Sequence, residues 1–116
     1  MDWEKQTLEK VWQQLIVSAN EQAQLITGIH ATYTFTIEAE QEKHYTLVLQ
    51  DGKATLEPSS TEEANCHITI GEKDFKKLVA GKLNATTAFM TGKLKVKGNI
   101  TDALALERLL KQLATR

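Results

Sequence analysis

Apolar residues recur at a helical period near the start of the chain. Leu8, Val11, Trp12, Leu15, Ile16, Ala19 and Ala23 fall on one stripe. Their spacing predicts an amphipathic helix that turns this stripe to a core. Asp2 is placed to cap the helix N-terminus, and Gly28 lies just past its end. The period then drops to two. Ala31, Tyr33, Phe35 and Ile37 alternate with Thr32, Thr34, Thr36 and Glu38. Tyr45, Leu47 and Leu49 alternate likewise with His44, Thr46, Val48 and Gln50. Each run predicts a strand with one buried and one wet face. Asp51-Gly52 suits a two-residue hairpin, because both central positions want positive φ. A third strand follows over residues 53–57, stopped by Pro58 and the polar residues 59–63. Cys66, Ile68 and Ile70 form the inward face of a fourth.

After Gly71 the helical period returns in Phe75, Leu78 and Val79, closed by Gly81. Asn84 caps a second short helix over residues 85–91, expected to turn Ala88 and Phe89 inward. Residues 93–97 alternate strictly as a fifth strand. Gly98-Asn99 leads into a last helix in which Ala103, Leu106, Leu109, Leu110 and Leu113 share a face, widened by Ile100 and Leu104. This order predicts an α+β class: a two-layer fold with a five-stranded, mainly antiparallel sheet and helices over one face. No repeat, linker or low-complexity run divides the chain, so residues 1–116 read as one domain.

Composition narrows the function classes. The 116 residues are 41% hydrophobic and 25% charged, which excludes collagen-like and disordered readings. Uninterrupted apolar stretches such as Leu15-Ile16-Val17 fall far short of the ~20 residues of a membrane-spanning helix. One cysteine, Cys66, excludes an intramolecular disulfide and a cysteine-rich zinc site. The polar opening, Met1-Asp2-Trp3-Glu4-Lys5-Gln6, has no basic-then-apolar signal region, so a cytoplasmic location is expected. Charge is uneven: residues 1–65 hold 4 Lys against 11 Asp and Glu, while residues 66–116 hold 10 Lys and Arg against 4. One part of the surface is thereby suited to an anionic partner.

Candidate catalytic chemistry is thin. Cys66 and His67 are neighbours on a strand and point to opposite faces, so they cannot share a proton. His30, His44 and His67 show no i, i+4 pairing, and no metal site is expected. No Gly-x-Ser-x-Gly elbow occurs. Lys93, Lys95 and Lys97 form a basic row, read first as lysines guarding an edge strand. With Lys73, Lys76, Lys77 and Lys82 they form, in the functional reading, a landing strip for anionic head groups. No aromatics interleave with them, so nucleic acid is not an expected partner.

Three segments carry a resemblance: Asp74-Phe75, Gly81-Lys82-Leu83-Asn84, and Ala88-Phe89-Met90-Thr91-Gly92-Lys93-Leu94-Lys95-Val96-Lys97-Gly98-Asn99. They resemble the sterol carrier protein-2 family, and the Thr-rich first strand, Asp-Gly hairpin and leucine-rich last helix follow the family order. The resemblance implies a single-domain, non-enzymatic carrier without a cofactor. Its ligand would be a fatty acid, fatty acyl-CoA, sterol or phospholipid, held in an apolar tunnel between sheet and helices. Candidate lining residues are Phe75, Leu78, Val79 and Leu83, then Phe89, Met90, Leu94 and Val96, then Leu104, Leu106, Leu109, Leu110 and Leu113. Periodicity alone assigns these to packing. Lys82, Lys93, Lys95 and Lys97 are the candidates for an anionic head group or a transient anionic membrane contact. Relatives commonly have proline where this chain has Ala85, and animal members a glutamine where it has Thr91. The resemblance therefore carries over no sterol preference. The alternative is an accessory module that docks on a lipid-modifying enzyme without carrying free lipid.

Overall fold

The computed structural model describes residues 2–114. Helix α1 (Leu8–Glu21) begins at Thr7, whose Oγ1 accepts from Lys10 N at 3.2 Å. Asp2, the expected cap, instead precedes a separate 3-10 turn, Trp3–Lys5, and makes no side-chain cap bond there. The chain breaks because Trp3 is drawn against the core ahead of the helix proper. Then come β1 (Ala31–Glu38), β2 (Lys43–Gln50), β3 (Lys53–Glu57) and β4 (Cys66–Gly71). The C-terminal half holds α2 (Glu72–Val79), α3 (Ala85–Met90), β5 (Leu94–Gly98) and α4 (Ile100–Ala114).

The five strands lie in the order β3-β2-β1-β4-β5. Neighbours are antiparallel except β1 and β4, which run parallel with Tyr33 opposite Cys66 and Phe35 opposite Ile68. Asp51 (φ 53°) and Gly52 (φ 71°) make the β2–β3 turn, both in the left-handed region that matches strand twist. The link from β3 to β4 reaches the outer face of the sheet, where Thr46 Oγ1 donates to Ser59 O at 2.6 Å. Asn65 then clips the link to β1: its N–H donates to Thr32 O and its Oδ1 accepts from Thr32 N, both at 2.8 Å.

The core lies on the other face. Tyr33, Phe35 and Ile37 of β1 sit inward beside Cys66, Ile68 and Ile70 of β4, all buried. Trp12 of α1 meets the Phe35 ring edge-on and stacks on Phe75 of α2, each with centroids 4.9 Å apart. Burying each such ring contributes on the order of 1.5–3 kcal/mol. This cluster fixes α1 and α2 over the middle of the sheet. Gly98 ends β5 at φ 110°, and a Cβ there would stand 2.7 Å from Asn65 O. Only glycine lets the chain turn beside that carbonyl. Asn99 Oδ1 then accepts from Asp102 N at 3.2 Å and starts α4.

Candidate functional site

Helix α4 roofs the apolar interior. Its inner stripe of Ala103, Leu106, Leu109, Leu110 and Leu113 is buried. Polar contacts fasten it at three places. Tyr33 Oη donates to Asp102 O at 3.3 Å near its start, and Ser18 Oγ donates to Leu113 O at 2.9 Å near its end. Between them the Glu107 carboxylate accepts the Ala85 N–H of α3. Burial, with Asp102 nearby, pushes the Tyr33 phenol up to about 12.

Besides a pocket of about 280 Å³ along α4, walled by Ile29, Tyr33, Leu49, Leu106 and Leu109 with the polar Asn65 and Asp102, two small cavities lie under this roof. The larger, about 20 Å³, is walled by Phe35, Ile68 and Ile70 of the sheet and by side chains of α2, α3, β5 and α4. The smaller, about 10 Å³, lies between α1, the β2–β3 hairpin and α4. Leu110 borders both. One ordered water needs roughly 10–15 Å³ of such space, so these two cavities are nearly closed and do not join into the expected tunnel between sheet and helices.

The candidate lining residues divide accordingly. Phe75, Leu78, Leu94, Leu106 and Leu110 border the larger cavity, and Leu109, Leu110 and Leu113 the smaller. Val79 is buried in the surrounding core, while Leu83 and Val96 are half-buried against it. Phe89, Met90 and Leu104 lie at the surface, 41%, 79% and 36% exposed. The inward expectation for Phe89 is thus corrected. A six-residue helix has room for one inward stripe, and Ala85 and Ala88 occupy it. These two small side chains let α3 lie close on its neighbours, and the larger Phe89 turns outward.

Sequence reasoning left out Phe35, Ile68 and Ile70 as lining, although their alternation already marked them inward. It also left out Ala85, Ala103 and Glu107. Glu107 was traceable: it lies four residues after Ala103 and three before Leu110, inside the buried arc of a helix.

The lysines do not converge on the cavities. Lys95 and Lys97 pair with Thr69 and His67, on the outer face of the sheet. Strand β5 is an edge of the sheet, the position that the edge-guarding reading requires. Lys82 pairs with Glu4, which holds its ammonium above the ordinary lysine range. Lys76 is buried and pairs with Glu72 at 3.2 Å. Lys93 is exposed just before β5.

Cys66 is fully buried, and burial, with Asp102 nearby, pushes its thiol above the ordinary range. His67 faces the other way, with Nδ1 2.6 Å from Thr34 Oγ1. No thiol–imidazole pair forms. Among the described residues no three His, Cys, Asp or Glu side chains gather to hold a metal ion, and no helix is long and apolar enough to cross a membrane.

A five-stranded sheet roofed on one face by helices, with an apolar interior closed by the buried leucines of α4, defines an α+β domain of the sterol-carrier type. Residues 9–111 match the SCP-2 sterol transfer family, and the chain belongs to that family. It is similar to a fatty acid-binding protein of Yarrowia lipolytica, 36% identical over 99 residues that cover 80% of this chain and 75% of that protein. It is also similar to Hydroxysteroid dehydrogenase-like protein 2 of Xenopus laevis, 34% identical over 109 residues, 91% of this chain. The chain spans only 25% of that relative's length. Among solved structures, Sterol Carrier Protein 2 from Yarrowia lipolytica (apo form) superposes with a TM-score of 0.76 at 27% identity, covering 91% of each chain.

Proposed function

We propose that this chain is a lipid-binding carrier that takes the hydrocarbon part of a fatty acid, acyl-CoA, sterol or phospholipid between its sheet and α4, without transforming it. The observation that carries the reading is Leu110, one side chain dividing two apolar cavities under a helix fastened at three polar points. Membership of the SCP-2 family and similarity to a fatty acid-binding protein support it. Lipid-sized pockets measure roughly 300–1,000 Å³, so loading these cavities requires the leucines of α4 to part. Each buried methylene contributes about 0.8 kcal/mol, so fifteen contribute ~12 kcal/mol gross. Part of that is offset by ordering the ligand and opening the roof, which leaves micromolar to nanomolar affinity, ~8 to 12 kcal/mol.

Entry is proposed at the side where α3 meets α4. Phe89 and Met90 of the α3 segment and Ile100 and Leu104 of α4 are exposed. Of the exposed charges of residues 85–114, all basic, Arg108 lies on α4, whereas Lys95 and Lys97 stand on the opposite side, on the outer face of the sheet, and make that face basic. An anionic bilayer complements such a face, and salt weakens its docking. A second reading is an accessory module working beside a lipid-modifying enzyme; the match to one quarter of a dehydrogenase-like protein favours it.

Native mass spectrometry of the purified chain, with organic extraction, tests the proposal. The expected result is one lipid per chain, released on unfolding, and faster transfer from anionic than from neutral vesicles. A chain that neither retains nor takes up any of the four lipid classes would refute the carrier reading, and a stable complex with an enzyme would then favour the second.

A further inference from the structure

Among the described residues, the wall of the larger cavity carries one ionisable side chain. Its other lining groups are apolar; the exception is Glu107. The Glu107 side chain is 13% exposed, its Oε2 accepts the Ala85 N–H, and its Oε1 lies 3.4 Å from Lys111 Nζ. The neighbouring amides of α3 are already used, since Thr86 N and Thr87 N donate to Asn84 Oδ1 at 2.8 and 3.2 Å. A polar head arriving at this end therefore meets a carboxylate whose single ammonium and single amide are both engaged. A second carboxylate would have to share them, and two like charges at a half-dry site disfavour each other's ionised form. A hydroxyl or amide N–H instead finds unused lone pairs on Glu107, because a carboxylate accepts at about four positions.

We infer that Glu107 makes this cavity select lipids whose polar end is uncharged and donates a hydrogen bond, such as a long-chain alcohol, a monoacylglycerol or a sterol, over lipids that end in a carboxylate. The inference rests on the carrier reading above and names the ligand class that the site takes. Lys111 acts in the opposite sense. It neutralises part of the Glu107 charge and so softens the exclusion of anions.

The test uses the full chain, with dodecan-1-ol and dodecanoate competing against a bound environment-sensitive fluorophore at pH 8. The two heads differ in their own hydration, so the readout is the alcohol-to-carboxylate affinity ratio in each variant relative to wild type. Glu107→Gln keeps an acceptor for the Ala85 N–H and removes the charge, and should narrow the ratio about tenfold by tightening dodecanoate. Lys111→Gln should widen it, and decides the matter alone if the first variant does not fold. An unchanged ratio in the folded variants overturns the inference and leaves the carrier reading standing. Failure of both lipids to bind wild type overturns both.

Discussion

Leu110→Ala removes the side chain that divides the interior. Leu110 is 3% exposed and touches both cavities. Three carbons leave the core, a transfer loss of ~2.4 kcal/mol at about 0.8 kcal/mol each. An unrelaxed void of about 60 Å³ adds ~1.4 kcal/mol at roughly 24 cal/mol per Å³. The variant should therefore lose ~4 kcal/mol out of a stability on the order of 6–17 kcal/mol for a chain of this length. Its Tm should fall by roughly 12–20 °C. The merged void should also accept hydrocarbon with less displacement of α4. A lipid at about a hundred times its Kd restores ~2.7 kcal/mol, and the lipid-induced rise in Tm should be larger for the variant than for wild type. Ile37→Ala is the control: Ile37 is fully buried but borders neither cavity. It should lose comparable stability while its response to lipid matches wild type. Calorimetry with and without lipid reads both quantities. A loss below ~1 kcal/mol for a buried leucine would contradict the packing argument. An equal lipid response in all three proteins would refute the assignment of Leu110 to the ligand space.

Three further outcomes follow from the geometry. Gly98→Ala should lose ~2 kcal/mol or more in chemical denaturation, because φ 110° and the Asn65 carbonyl 2.7 Å away both oppose a Cβ. Cys66 should react with a thiol reagent at pH 8 only as fast as the chain unfolds, and prompt labelling of native protein would contradict its burial. Tyr33 should ionise near pH 12 in the native state but near 10 once unfolded, so its contribution to stability is complete below pH 10 and declines as pH rises towards 12. Tyr33→Phe should flatten that decline, and identical pH slopes for variant and wild type would count against it.

The sheet was legible because alternation of period two is written directly into residues 31–37 and 45–49, and each inward position found there is inward or half-buried in the fold. The start of α1 was not. Asp2 and Thr7 are both capping residues, and the choice fell to Thr7 because Trp3 packs against the core before the helix begins. The outward turn of Phe89 was hidden for a related reason: size favoured burying the phenylalanine, but close approach of α3 favoured the two alanines. The parallel pairing of β1 with β4 leaves no periodic mark, since either neighbour would accept the same alternation. Cavity volume is likewise invisible, because it is set by how side chains from distant segments meet around Leu110. The basic row could be seen in the sequence, but not that Lys95 and Lys97 stand on the sheet face away from the interior.

Strand β1 sits between a partner that arrives early and one that arrives late. Its pairing with β2 closes across residues 39–42, a turn that zips on the microsecond scale. Its pairing with β4 joins positions 33 apart, such as Thr34 and His67, and must wait for a much longer stretch of chain to find its register. Until then Phe35 and Ile37 lie along an unpaired border that any other extended chain could seize. The docking of β4 therefore ends the interval in which this border of the newly made protein is open to aggregation.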